Sequence, residues 1–226
     1  MNLESLFSLK GKNAIVVGGS KGIGNAMAKG LAAAGADVVL ASRNQAELDA
    51  AAVKMATETG AVVTGMSADV STVDGCRELV DKVVATKGHV DILVNCAGVN
   101  QRATALDFTE EQWDIVQNTQ LKGVFFMCQA VARQMVEKGI AGKIINVGSI
   151  SSVIGLPKMI SYCSAKGGVV HPYYVRCAVT DRWLESVAEK TMGDGVVTAP
   201  VSVETMLTWA REKLAEDPAL FLAAIG

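Results

Sequence analysis

The feature that most constrains the fold is a regular alternation of short apolar runs with longer amphipathic stretches. The apolar runs are rich in Val, Ile or Leu and bounded by glycine or polar residues, which is typical of buried strands. They cover residues 13–18, 37–41, 62–67, 91–95 and 143–147. The amphipathic stretches cover residues 23–34, 45–59, 73–86 and 109–137. This alternation predicts an α/β fold, with a doubly wound parallel sheet and helices on both faces.

The length of the chain predicts a single domain. Its 226 residues are enough to bury one sizeable core, and no linker or internal repeat divides residues 1–226. The strand–helix rhythm fades after about residue 168. We therefore expect residues 170–226 to form a divergent C-terminal substrate-cap region, in which the last strands of the sheet are shortened or rearranged.

Charge and composition exclude several classes of partner. The formal net charge is −2, without the basic excess that nucleic acid or an anionic membrane surface attracts. Residues 1–4 carry no secretory signal, and the five cysteines form no CxxC pair and predict no metal site. We expect a cytoplasmic protein that acts on a small molecule.

A glycine-rich segment follows the first predicted strand directly and opens the first predicted helix. Its glycines have the spacing GxxxGxG, which lets the backbone turn sharply and approach a ligand closely. The N-terminus of the helix then directs free N–H groups at a phosphate. We predict a dinucleotide site of the Rossmann type, formed here by Gly18, Ser20, Lys21, Gly22, Ile23 and Gly24.

The same residues also match G-x-S-x-G, the nucleophile elbow of an α/β-hydrolase, with Ser20 as the nucleophile. That alternative needs a histidine, and the chain has only His89 and His171. An elbow also normally follows several strands rather than the first. We retain the hydrolase only as a minor alternative.

The end of the second strand bears on the choice of cofactor. An NAD-binding site usually places a carboxylate there, whereas a 2′-phosphate needs a cation and no repelling acid. Ser42 and Arg43 stand at this position, and Lys21 adds a second cation nearby. This pattern predicts NADP(H) as the cofactor.

Three residues form a candidate proton-transfer site. Tyr162 and Lys166 are four apart, which places them on one face of a helix. An ammonium beside a tyrosine stabilises the phenolate and makes the tyrosine a usable acid or base. Ser149, at the end of the fifth predicted strand, is placed to hold a carbonyl oxygen.

The combination of these motifs resembles the short-chain dehydrogenase/reductase family over roughly residues 8–170. Its NNAG motif stands here as Asn95-Cys96-Ala97-Gly98, where it supports the sheet and the cofactor. Asp69 matches the family's acid beside the adenine, and the resemblance places both Asp69 and the following Val70 at the cofactor. The resemblance implies that Tyr162 is the general acid/base, that Lys166 binds the nicotinamide ribose, and that Ser149 orients the substrate.

Two further segments narrow the resemblance within the family. Residues 99–102 and 142–146 are similar to gluconate 5-dehydrogenases and related polyol dehydrogenases, and also to 3-oxoacyl-carrier-protein reductases. The resemblance implies a small substrate that carries a carbonyl or alcohol group.

The chain departs from the family pattern at two places. The position of the fourth catalytic residue, an asparagine in the family, is occupied by Gln120, whose longer side chain is expected to displace the proton relay. Pro172 interrupts the helix that normally follows Lys166, and the family's later strands are not recognisable. That helix normally forms a dimer contact, so a homo-oligomer is left open.

The motifs and the two departures leave two candidate functions. The first is an NADP(H)-dependent oxidoreductase that interconverts a carbonyl and an alcohol on a polyol, sugar acid or ketone. The alternative is a nucleotide-binding protein of the same family with little or no turnover. Gln120 and the altered C-terminal region are the reasons for keeping the alternative.

Overall fold

A computed structural model describes residues 7–170 of the chain. The predicted substrate cap and the predicted changes in the last strands lie outside these residues. Strands β1 to β5 span Asn13–Val17, Asp37–Ser42, Val63–Ser67, Ile92–Asn95 and Lys143–Asn146. Helices α1 to α6 span Gly22–Ala33, Gln45–Thr59, Val73–Lys87, Glu110–Gln117, Gly123–Glu137 and Ile160–Val170.

The five strands form one parallel sheet in the order β3-β2-β1-β4-β5. The chain adds β2 and β3 on one side of β1 and then adds β4 and β5 on the other side, so the strand order reverses between the neighbours β1 and β4. In an open parallel sheet this reversal creates a crevice beyond the carboxyl ends of the strands, which is where ligands bind. The predicted fold class is confirmed, and each predicted strand agrees with the structure to within one residue at either end.

Alternate side chains of each strand supply two separate hydrophobic cores. In β1, Ile15 and Val17 face the core formed with α3 and α5, whereas Ala14 and Val16 face the core formed with α1 and α2. This follows from the two-residue repeat of a strand, whose successive side chains point to opposite faces. Both faces of the sheet are buried, which explains why the strands read as continuous apolar runs.

The predicted helix over residues 109–137 is helical throughout but is not one α-helix. Thr109 and Gln112 form a reciprocal capping box at its start. Between α4 and α5, residues Asn118–Lys122 form a π-helical segment, in which the N–H of Gly123 donates to the carbonyl of Asn118. Such segments often occur at functional sites, and this one contains Gln120.

Gly123 explains how α5 lies so close to the sheet. A Cβ atom at this position would stand 2.2 Å from the carbonyl oxygen of Val70, on the loop after β3. Any larger residue would push the helix away from that loop. The glycine at the junction of the π-helical segment and α5 therefore fixes the distance between this helix and the carboxyl edge of the sheet.

Candidate active site

The glycine loop is packed against the segment that follows β4. Gly18 has a φ of +80°, and a Cβ atom there would stand 2.7 Å from the amide nitrogen of Ala97. A Cβ atom at Gly24 would stand 2.3 Å from the carbonyl oxygen of Gly18. The loop thus holds its shape only with glycine at both positions.

The N-terminus of α1 faces open space beside this loop. Gly22 has a φ of +61°, and nothing would lie within 4 Å of a Cβ atom built there. No side chain caps the helix at Lys21, and its first turn contains no acidic residue. Asn25 holds the loop from behind, since its side-chain amide donates to the carbonyl of Gly19 at 2.9 Å. This is the geometry of an anion-binding helix N-terminus.

The remaining predicted residues of the loop are accessible. Ser20 is half-buried, and Ile23 is 69% exposed on the first turn of α1. The ammonium of Lys21 lies 3.6 Å from the carboxylate of Glu47, and both side chains are largely exposed. An exposed ion pair of this kind is weak, so it leaves Lys21 free to turn toward a phosphate.

The ends of β2 and β3 bring Arg43 and Asp69 to the same edge. Hydrogen bonds from the hydroxyl and the N–H of Ser71, at 2.7 Å and 3.0 Å, lower the pKa of Asp69 despite its partial burial, and the nearby charge of Arg43 acts in the same direction. Arg43 also lines a cleft of about 680 Å³ between this edge and α4. Val70, the next residue, is buried in the core.

Ser42, which the sequence predicts to bind the cofactor, stands at the end of β2. Its hydroxyl oxygen is enclosed by protein and has no hydrogen-bond partner among the described residues. A contact with a phosphate therefore requires rotation of the side chain.

Asn95 joins the ends of β4 and β5. Its buried side-chain amide donates to the side-chain oxygen of Asn146 at 2.8 Å. The two residues are also paired in the register of the strands. Gly98, three residues further on, approaches Gln120, whose side-chain oxygen would stand 3.0 Å from a Cβ atom at this glycine. The support of the sheet that the family resemblance implies for this motif has a direct geometric basis here.

The predicted proton-transfer residues meet at the end of β5. Helix α6 carries Tyr162 and Lys166 one turn apart, with the ammonium of Lys166 5.9 Å from the centre of the Tyr162 ring. Lys166 is only 5% exposed, and its ammonium donates to the carbonyl of Val147 at 2.7 Å. Burial lowers the pKa of Lys166, and the nearby Cys96 opposes that shift. Tyr162 is half-buried beside this lysine.

Ser149 caps a short 3₁₀ turn, Ile150–Ser152, directly after β5. Its hydroxyl oxygen accepts the N–H of Ser151 at 3.1 Å, and its own N–H donates to the hydroxyl of Ser152 at 3.1 Å. Among the described residues the Ser149 hydroxyl hydrogen has no acceptor within hydrogen-bond distance. Burial separates Ser149 from Ser151, which is only 4% exposed, whereas Ser149 and Ser152 are both half-buried members of the cap.

Gln120 is fully buried behind this site. Its side-chain nitrogen donates to the carbonyl of Val99, while its side-chain oxygen has no partner among residues 7–170. Asn118, two residues away, instead lines the cleft beside Arg43. Two residues along a helix lie on nearly opposite faces, so Asn118 cannot take the place of Gln120.

A contact that the sequence did not reveal fixes the start of α6. The side-chain amide of Gln117 donates to the carbonyl and the hydroxyl of Ser161 at 2.9 Å and 3.1 Å, and that hydroxyl donates to the carbonyl of Trp113. Tyr162 follows immediately. These residues position the tyrosine. Their pairing could not be predicted from a local sequence pattern, because Gln117 and Ser161 are 44 residues apart.

The hydrolase alternative finds no histidine near Ser20 in the part of the chain that the structure describes. His89 lies before β4, at the amino edge of the sheet, where its side chain contacts Asp91 at 2.9 Å. His171 lies outside the described residues. Residues 7–170 also contain no helix that is long and apolar enough to cross a membrane.

Fold and site together define a dinucleotide-binding protein of the Rossmann type. The family model described as short chain dehydrogenase matches residues 12–176. The chain therefore belongs to the short-chain dehydrogenase family, whose members use a nicotinamide cofactor, as the sequence motifs predicted.

Individual relatives agree with this assignment. The chain is 43% identical over 166 residues to a 2-dehydro-3-deoxy-D-gluconate 5-dehydrogenase of Escherichia coli, covering 74% of this chain and 64% of the relative. It is 33% identical over 218 residues to a 3-oxoacyl-[acyl-carrier-protein] reductase of Thermotoga maritima, covering 96% and 85% of the two chains. The alignment with the first relative thus spans less than two thirds of that protein's length.

A solved structure is also similar. It is a gluconate 5-dehydrogenase of Burkholderia cenocepacia in complex with NADP and tartrate, with 33% identity and a TM-score of 0.70. The match covers 84% of this chain and 69% of that one. The predicted resemblance to gluconate 5-dehydrogenases and to 3-oxoacyl-carrier-protein reductases is confirmed.

Proposed function

We propose that the chain is an NADP(H)-dependent oxidoreductase that interconverts a carbonyl and an alcohol on a small polyol, sugar acid or ketone. The observation that carries the proposal is the ammonium of Lys166, buried beneath the ring of Tyr162 and held by the carbonyl of Val147. Burying an ammonium is costly, and a fold keeps such a group mainly where chemistry needs it.

The residues at the carboxyl edge fit a dinucleotide. The glycine loop provides a surface without Cβ atoms beside the free N-terminus of α1, and this favours the pyrophosphate. Arg43 offers a cation directly after β2, which ends in Ser42 rather than in a carboxylate, and Lys21 offers a second cation from the glycine loop. The NADP named in the similar gluconate 5-dehydrogenase supports the same choice.

In the proposed reaction, Tyr162 donates a proton to the carbonyl oxygen during reduction and removes it during oxidation. When bound, NADP(H) supplies or accepts the hydride. Ser149 donates its free hydroxyl hydrogen to the same substrate oxygen and holds it in line. Lys166 stabilises the negative charge that develops on Tyr162, and its hydrogen bond to the carbonyl of Val147 keeps its ammonium in place.

The relatives support a polyhydroxylated substrate. The similar proteins of Escherichia coli and Burkholderia cenocepacia are named as a 2-dehydro-3-deoxy-D-gluconate 5-dehydrogenase and a gluconate 5-dehydrogenase. A site with one serine hydroxyl and one tyrosine hydroxyl suits a secondary alcohol in such a molecule. We also propose a cytoplasmic location, where Cys76 and Cys128 stay reduced in the core; a homo-oligomer stays a prediction.

A second candidate is a nucleotide-binding protein with little turnover. It is favoured by Gln120, whose side-chain nitrogen is committed to Val99 and whose oxygen is enclosed without a partner among the described residues. In this alternative the chain binds NADP(H) but transfers hydride poorly, because the residue that serves the family's proton relay is displaced.

One experiment separates the two candidates. NADPH oxidation is measured with keto-sugar acids, diketones and β-ketoesters, using the wild type and Tyr162→Phe in parallel. The proposed enzyme turns over at least one substrate, and Tyr162→Phe lowers kcat by about 100-fold or more while NADPH affinity changes little. NADPH binding without turnover in the folded wild type would support the second candidate. In that case a large gain of rate in Gln120→Asn would identify Gln120 as its cause.

A further inference from the structure

The loop between Ser149 and Tyr162 contains a tight turn with an unexpected residue. The N–H of Met159 donates to the carbonyl of Leu156 at 3.3 Å, which closes a four-residue turn. Pro157 occupies the second position and Lys158 the third, where its φ is +62°. This arrangement matches a type II turn, whose third residue needs a positive φ and is usually glycine or asparagine.

Lys158 is the only residue other than glycine with a positive φ between residues 7 and 170. In this conformation the Cβ atom of an L-residue crowds the following carbonyl, so a lysine strains the turn where a glycine would not. Strain of this kind clusters at functional sites, where the surrounding structure holds it in place. The side chain that causes the strain is therefore the feature to explain.

The turn is attached firmly to the start of α6. The N–H of Cys163 donates to the carbonyl of Met159 at 2.9 Å, and the N–H of Leu156 donates to the sulfur of Cys163 at 3.5 Å. Cys163 is the neighbour of Tyr162 in the chain. Lys158 is thus carried on a turn that is fixed to the same helical turn as the proposed acid/base.

The charge of Lys158 stands alone in this loop. No other residue between Lys143 and Lys166 is charged, and the exposed neighbours on the loop include Val153, Ile154 and Leu156. The lysine is itself exposed, and within the described part of the chain no carboxylate pairs with it. A charge needed only for solubility would carry no strain at any neighbouring loop position.

We propose that Lys158 binds the carboxylate of a polyhydroxy acid whose alcohol or carbonyl carbon is held at Ser149 and Tyr162. The inference rests on the proposed function and adds a residue that determines specificity. A carboxylate several carbons from the reacting centre would be met by the ammonium, whereas a neutral polyol would gain nothing from it. The positive φ of Lys158 then lowers the stability of the turn, and the ammonium it presents increases selectivity for acids over neutral polyols.

The test measures binding rather than turnover, so that it remains informative if the chain proves inactive. Gluconate and the neutral polyol xylitol are titrated by calorimetry into the NADPH-saturated protein, because the reduced cofactor cannot oxidise either alcohol. The variants are Lys158→Asn, which is neutral and tolerates the positive φ, and Lys158→Arg, which keeps the charge. Lys138→Gln serves as the matched control, because it removes an exposed lysine before β5, at the opposite edge of the sheet.

We expect Lys158→Asn to weaken gluconate binding roughly tenfold, the size of a lost charge-assisted contact, and to leave xylitol unchanged. Lys158→Arg and Lys138→Gln should bind gluconate like the wild type, and added salt should weaken gluconate only where residue 158 is cationic. Equal affinities for gluconate in the wild type and Lys158→Asn, or equal losses for both ligands, would overturn the proposal. So would failure of the wild type to bind gluconate at all.

The proposed function fails on a different result. If no substrate is turned over but gluconate binding depends on the charge at residue 158, the carboxylate-binding role of Lys158 is supported and the proposed enzymatic activity is contradicted. If turnover depends on Tyr162 but acids and neutral polyols react alike in every variant, the proposed enzymatic activity is supported and the carboxylate-binding role of Lys158 is contradicted. A Lys158→Gly variant adds an independent check. It should be at least as stable to heat as the wild type while it loses affinity for gluconate.

Discussion

The two edges of the sheet treat buried polar groups in opposite ways. At the amino edge, the buried carboxylate of Asp91 accepts the N–H of Asn13 at 2.9 Å and contacts Lys12 at 3.0 Å and His89 at 2.9 Å. Nearby, the side chain of Gln134 both accepts from and donates to the backbone of Val90. The chain satisfies these groups by itself.

At the carboxyl edge, the same kinds of atom lack partners. Three enclosed side-chain atoms have none among residues 7–170: the hydroxyl of Ser42 at the end of β2, the amide nitrogen of Asn146 at the end of β5, and the amide oxygen of Gln120 behind Gly98. Buried polar groups are normally paired, so unpaired ones need an explanation. The difference teaches that the amino edge pairs its buried polar groups and gains stability from them, whereas the carboxyl edge, beside the proposed cofactor site, leaves such groups unpaired at a cost in stability.

The largest expected effect tests the carboxyl edge. In Gly24→Ala the new Cβ atom would stand 2.3 Å from the carbonyl oxygen of Gly18, so the loop must open. We expect the affinity for NADPH to fall more than 100-fold, which corresponds to about 3 kcal/mol or more. Fluorescence titration measures it, with circular dichroism to establish that the variant is folded. Unchanged affinity in a folded variant would remove the glycine loop from the proposed cofactor site.

The next effect tests the amino edge. Although burial alone would raise the pKa of Asp91, hydrogen bonds from Asn13 and Lys12 and the charges of His89 and Lys12 hold it below its usual value. A lowered pKa means stability that is present above about pH 4 and lost as pH falls through the folded-state value.

We therefore expect Asp91→Asn to cost about 2–3 kcal/mol at pH 7, as loss of a buried ionic network does. The difference from the wild type should shrink on acidification, because the wild-type carboxyl then becomes neutral too. Urea unfolding between pH 3 and pH 7 measures both effects. A constant difference over this range would mean that shape, and not charge, holds this edge together.

A pair of buried glutamines gives the most direct comparison of the two edges. Gln134→Leu leaves both backbone groups of Val90 without a partner and should cost about 1–2 kcal/mol without altering NADPH affinity. Gln120→Leu removes one hydrogen bond, to the carbonyl of Val99, together with an oxygen that is already unpaired among the described residues, so it should cost less. Denaturant unfolding of both variants measures the difference. If Gln120→Leu proved the more damaging to stability, the contrast between the edges would be reversed.

The smallest effect is a control for the first. Gly30 lies in the same helix as Gly24, but nothing stands within 4 Å of a Cβ atom built there. Gly30→Ala should stabilise the protein by about 0.5–1 kcal/mol through the better helix propensity of alanine, with unchanged cofactor affinity. Thermal unfolding measures the gain, and a loss of NADPH affinity here would show that α1 as a whole, rather than the loop, governs binding.

Most of the fold and part of the candidate site could be predicted from local sequence patterns. The strands were predictable because each is a short apolar run buried on both faces, and the glycine loop because its spacing is contiguous in sequence. The placement of Tyr162 beside Lys166 was predictable too, because a helix brings residues four apart together.

Other features depend on pairings that no local pattern encodes. The contact between Gln117 and Ser161 joins residues 44 apart, and that between Lys12 and Asp91 joins residues 79 apart. The orphaned oxygen of Gln120 and the strained turn at Lys158 also needed coordinates, since each depends on what surrounds the residue. Sequence named the residues of the site, whereas the structure identified what holds them in place.

The π-helical segment Asn118–Lys122 makes the chain unusually intolerant of a change in length at one place. Deleting a single residue there would restore a regular helix but rotate α4 by about 100° relative to α5. Because Gln117 must face Ser161 while Met127 must face the sheet, no rotation could serve both. The residues before and after the π-helical segment therefore face different neighbours, α6 and the sheet. Substitutions along this helix should be tolerated far better than the insertion or deletion of a residue.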